Sequence, residues 1–107
     1  MKKILLIGSK NKLRSPTAEA VFCNKPGIDA RSAGLNHDAE VPVSKEDIDW
    51  ADIIFVMETV HKGKLRKRFK ASLKQQRLIC LDIPDNYEYM QPELIAIFKN
   101  RIPQFLY

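Results

Sequence analysis

Long apolar runs, closely spaced cysteines and low-complexity tracts are all missing from this 107-residue chain. The longest uninterrupted apolar stretches are Ile53-Ile54-Phe55-Val56-Met57 and Leu94-Ile95-Ala96-Ile97-Phe98, far short of the roughly 20 residues needed to cross a bilayer. Behind Met1-Lys2-Lys3 the apolar run extends only from Ile4 to Ile7, too short for the core of a secretory signal. A cytoplasmic protein with no membrane contact is therefore expected. Cysteine is scarce: Cys23 and Cys80 form neither a disulfide framework nor a metal-ligand spacing. Both are expected to pack as small core residues. No repeat or linker divides the chain, and its 45% hydrophobic content suits one core, so a single domain over residues 1–107 is the expectation.

Positive charge is plentiful and uneven. The formal net charge is +5, which favours anionic partners in general. Basic residues crowd into residues 62–74, where Leu65, Phe69 and Leu73 recur at i, i+4 spacing. That pattern predicts an amphipathic helix with its charges on the solvent face. No aromatic stacking pattern accompanies it, so a nucleic-acid partner is disfavoured.

Along the chain, apolar segments at residues 3–7, 28–33, 53–57 and 78–81 read as strands, the third buried on both faces. Helices are expected between and after them. One is capped by Ser15 with Pro16 in its first position. A second is capped by Ser44 with Asp47 three residues on. The basic helix follows, and a last one begins near Pro92 with Leu94, Ile95, Phe98 and Ile102 inward and Pro103 ending it. Strands alternating with helices imply an α/β fold: a four-stranded parallel sheet with helices on both faces. Ligands of such sheets sit beyond the carboxyl ends of the strands, which brings together residues 9–15, Glu58-Thr59 and residues 82–85.

The first of these segments carries the chemistry. A loop entering a helix N-terminus can aim several backbone amides at one point, where the helix dipole adds positive charge. Ser9, Lys10, Asn11, Lys12, Leu13, Arg14 and Ser15 therefore form a candidate cradle for phosphate or sulfate, Arg14 holding two anion oxygens at once.

The stretch "IGSKNKLRSPTAEAVF" resembles the signature of the low-molecular-weight protein tyrosine phosphatases: an apolar strand, Cys, five residues, Arg-Ser, then Pro-x-Ala-Glu. The resemblance continues through "SAGL" at residues 32–35, "ADIIFVME" at 51–58 with His61 after it, and "LDIPD" at 81–85. It is strongest to the compact bacterial branch of that family. It implies a phosphate or phosphotyrosine-type ligand, with phosphorylated protein as a partner, and chemistry that needs no metal and no cofactor. In the family a loop thiolate attacks phosphorus while an aspartate protonates the leaving group. Arg14 takes the family's arginine role. Asp82, nearer the strand end, is the first candidate for the acid and Asp85 the second. Asn11 and Ser15 match loop-shaping positions, with Ser32 a further candidate, and Tyr87 and Tyr89 could wall a pocket.

The family cysteine falls at Gly8, which has no side chain. Ser9 is adjacent, but no general base is evident beside it in the sequence. Phosphomonoester hydrolysis is therefore expected to be lost or impaired while the oxyanion loop persists. The alternatives are an active phosphatase with a variant Gly8, or a non-catalytic module binding through its basic helix.

Overall fold

A computed structural model describes residues 1–10 and 12–106. Four strands, β1 (Lys2–Gly8), β2 (Ile28–Gly34), β3 (Ile53–Val56) and β4 (Arg77–Cys80), form one sheet in the order β2-β1-β3-β4. All three pairings are parallel. The helices are α1 (Arg14–Phe22), α2 (Lys45–Trp50), α3 (Thr59–Arg68) and α4 (Pro92–Arg101), with a 3-10 turn at Pro103–Phe105.

Side chains alternate across β1, and so divide the core into two layers. Ile4 and Leu6 join Ala18 and Phe22 of α1 and Leu94 and Phe98 of α4 on one face. Leu5 and Ile7 join Ile48 of α2 and Leu65 of α3 on the other. Helices thus cover both faces, as the alternating pattern predicts. β3 is buried along its whole length, which accounts for its unbroken apolar run.

The connection after β1 leads outward to β2, whereas the connection after β3 leads the opposite way to β4. The crevice between the carboxyl ends of β1 and β3 is therefore the topological switch point, where ligands of open α/β sheets bind.

Several boundaries differ from the sequence reading. α1 begins at Arg14 after Leu13, so Ser15 and Pro16 lie inside its first turn. Pro16 is tolerated there because first-turn amides have no intrahelical acceptor. Ser44 caps α2 as expected, in a capping box with Asp47. The basic helix starts earlier and stops earlier than its periodicity suggests, at Arg68. Four-residue strands rise about 13 Å, and ten helical residues already span about 15 Å. Beyond Arg68 the chain turns back toward β4, with Phe69 and Leu73 still packed on the second core layer. Leu94 and Phe98 of α4 and Ile102 just after it are fully buried, while Ile97 rather than Ile95 packs against the core. Cys23 is exposed and Cys80 only half-buried, so neither is the enclosed core residue that composition suggests.

Candidate functional site

The loop after β1 is fixed from behind. Leu35 donates its amide to the carbonyl of Gly8 at 2.9 Å, Asn36 to that of Ser9 at 2.9 Å, and Glu40 to that of Lys10 at 3.1 Å. All described peptides are trans, so each N–H points opposite its carbonyl. The amides of Ser9 and Lys10 are thereby turned away from that supporting segment. Gly34 permits the close approach: a Cβ there would lie 2.5 Å from the Ala39 Cβ and 2.8 Å from the Ser9 carbonyl oxygen. A pocket of about 160 Å³ opens on the loop, lined by Gly8, Ser9, Lys10, Lys12, Leu13, Arg14 and Ser15, with Asp85 from the loop after β4.

Arg14 is only 5% exposed. Its Nη1 donates to the Ile83 carbonyl at 2.7 Å and lies 3.5 Å from Glu58 Oε1, while Nε lies 3.7 Å from Asp85 Oδ1. A buried guanidinium requires such compensation. Both carboxylates stand beyond ideal hydrogen-bond length, so they balance the charge without occupying the fork as a bidentate partner would.

His61, from the first turn of α3, is 2% exposed and reaches the same crevice. Its Nε2 lies 2.8 Å from Ser9 Oγ and 3.4 Å from Glu58 Oε2. Its Nδ1 accepts the Glu58 amide at 3.2 Å. Burial lowers its pKa below 6.5, the nearby Arg14 charge lowers it further, and Glu58 opposes both. The ring is neutral at pH 7. Because Nδ1 accepts an N–H, the geometry assigns the single proton to Nε2, which donates it to Ser9 Oγ. Ser9 thus has a histidine partner that the sequence does not reveal. That histidine is wired as a donor to the hydroxyl, not as a base for it.

The structure separates the two acid candidates. Asp85 lines the pocket. Asp82 does not; it stands at φ 56°, and its carbonyl accepts Arg101 Nη1 at 3.3 Å. Ser15 is buried, with its Oγ 3.3 Å from where a Cβ on Gly8 would sit. Asn11 lies outside the described residues. Ser32 does not reach the loop but donates to Glu19 of α1. Neither tyrosine walls the pocket: Tyr87 packs against the first core layer, and Tyr89 is exposed. Lys10 pairs with Asp38 at 3.8 Å. Among the described residues no group of His, Cys, Asp or Glu is placed to hold a metal ion, and no helix is long and apolar enough to cross a membrane.

No family model and no curated protein sequence matches the chain. Its structure is nevertheless similar to several solved ones. The YwlE arginine phosphatase of Geobacillus stearothermophilus superposes with a TM-score of 0.75 at 24% identity, over 92% of this chain and 89% of that one. The low-molecular-weight protein tyrosine phosphatase of T. tengcongensis also gives 0.75, at 19% identity over 92% and 96%. Vibrio vulnificus Wzb in complex with benzylphosphonate gives 0.71, at 20% identity over 92% and 90%. The fold is that of the low-molecular-weight protein tyrosine phosphatases.

Proposed function

From that fold we propose that the chain binds a phosphate-type oxyanion in the loop of residues 9–15, and that phosphomonoester hydrolysis is absent or severely reduced. The carrying observation is a pocket that keeps the Arg14 guanidinium, the turned loop amides and Asp85, while Gly8 offers no atom to attack phosphorus. Backbone amides and a fixed guanidinium neutralise a bound phosphoryl group without a metal. Ser9 adds a donor: its oxygen already accepts the His61 proton, leaving its own O–H for an anion oxygen. The position of Asp85 in the pocket lining beside Arg14 supports it as the group that would protonate a leaving oxygen. Benzylphosphonate bound to Wzb supports the same ligand class here.

Removal of the nucleophile does not remove the oxyanion site, because the donors are separate groups. Isothermal titration with phosphate, sulfate and phenyl phosphate tests the reading. Binding that is lost in both Arg14→Ala and the charge-keeping Arg14→Lys, with both variants folded by circular dichroism, is the expected result. No heat of binding for any of the three anions by the unaltered protein would overturn it.

A further inference from the structure

The positive charge of the chain is concentrated in one place. Residues 59–81 hold eight of its 18 lysines and arginines and none of its 13 acidic residues. The remainder, with ten basic and thirteen acidic side chains, is net acidic. Within the segment, no lysine or arginine is ion-paired with a carboxylate of the described residues. Clustered like charges repel one another, yet this fold leaves them uncompensated while acidic residues are placed everywhere else.

Part of this charge lines a groove that adjoins the oxyanion pocket. Lys64, Lys67 and Arg68 of α3 form one wall, and Leu35, Asn36 and Asp38 contribute to the other. The two sites share a boundary. Asn36 holds the Ser9 carbonyl, Asp38 pairs with Lys10, and α3 begins beside Ser9 through His61. Along the helix axis Lys64 stands about 4.5 Å beyond His61 and Lys67 about 9 Å beyond it. All three cations of the groove are exposed, but Arg68 is anchored by donating to the Leu35 carbonyl at 2.6 Å, which leaves Lys64 and Lys67 as the two not so held.

We propose that this groove receives the acidic flank of a phosphorylated polypeptide whose phosphate occupies the pocket, an inference that rests on the oxyanion reading above. An extended chain advances about 3.3–3.6 Å per residue, so the acidic side chains lie within about four residues of the phosphorylated position. A protein partner is favoured over a nucleic acid because the residues lining the groove include no Phe, Tyr or Trp, the one ring among them being the imidazole of His37, and single strands are held largely by stacking on successive aromatic rings.

Four peptides of one length test this, with Glu-rich or Gln-rich flanks around a tyrosine that is phosphorylated or not, measured by fluorescence anisotropy at low salt. Acidic flanks are expected to tighten binding about fivefold, the scale of one or two exposed charge pairs. This gain should appear with and without the phosphate, and should vanish in the folded double variant Lys64→Glu/Lys67→Glu. Equal affinities for acidic and neutral flanks overturn the proposal. So does a single-stranded RNA of equal charge that binds more tightly than the acidic phosphopeptide and loses its binding in the same variant. If the flank effect persists but phosphate adds nothing, the pocket reading fails and, with it, the coupling of the two sites.

Discussion

Ser9 and His61, 52 residues apart in sequence, meet at 2.8 Å across the switch point between β1 and β3. A serine and a histidine at this distance suggest a nucleophile and its base. The proton count reverses that reading. With Nδ1 taken by the Glu58 amide, the imidazole has no lone pair left for the hydroxyl, and Ser9 is a hydrogen-bond donor held in one orientation.

Ser9→Ala is therefore expected to weaken phosphate binding about fivefold, the worth of roughly 1 kcal/mol for one hydrogen bond, without changing the fold. Titration calorimetry measures the loss. A covalently phosphorylated Ser9, detected by mass spectrometry after incubation with a phosphoryl donor, would instead show that the hydroxyl attacks.

His61 also makes stability depend on pH. Its folded-state pKa lies below 6.5, so the unfolded chain takes up the proton first as pH falls. Stability is full above about pH 6.5 and declines as pH drops below it toward the folded pKa. Protonation at Nδ1 also sets two donors against each other, His61 and the Glu58 amide. Urea unfolding at a series of pH values should show this decline, with a shallower slope over the same window in His61→Gln. An unchanged slope in that variant would assign the acid sensitivity elsewhere.

The parallel sheet and its two-faced core were legible because each rests on local pattern: apolar runs alternating with capped helical segments. The contact of His61 with Ser9 was not, because it depends on which strand ends become neighbours, and strand order is a property of the whole sheet. Which of Asp82 and Asp85 lines the pocket was hidden for a related reason. Proximity to the strand end favoured Asp82, but its left-handed backbone, at φ 56°, and the turn that follows deliver Asp85 to Arg14 instead. The basic helix was overextended because periodicity does not report how far the strands beneath it run.

Gly34 supports the loop by having no side chain. A methyl group there meets the Ala39 Cβ at 2.5 Å and the Ser9 carbonyl at 2.8 Å, contacts that one of the two segments must yield to relieve. Gly34→Ala is expected to cost about 1–3 kcal/mol, as overpacking does. It should also weaken phosphate binding, since the loop's carbonyls are pinned by that same segment. Denaturant unfolding alongside calorimetry separates the two effects. Undiminished stability would show that the neighbouring backbone relaxes freely.

Gly8→Cys tests whether only one sulfur atom is missing. A Cβ at Gly8 meets Ser15 Oγ at 3.3 Å and Ser15 Cβ at 3.9 Å, so the side chain fits if the serine hydroxyl yields by a few tenths of an ångström. The new thiol would stand at the N-terminal end of α1 and near Arg14, both of which favour a thiolate. Hydrolysis of p-nitrophenyl phosphate is expected to appear in this variant and be absent from the unaltered protein. Adding Asp85→Asn should remove most of that gain, because a positioned general acid contributes about 10²–10⁴-fold, whereas adding Asp82→Asn should leave it largely intact. A reversed pattern between the two aspartates would return the acid to Asp82. A folded but inert Gly8→Cys protein would mean that the pocket holds its anion without the alignment that in-line attack demands.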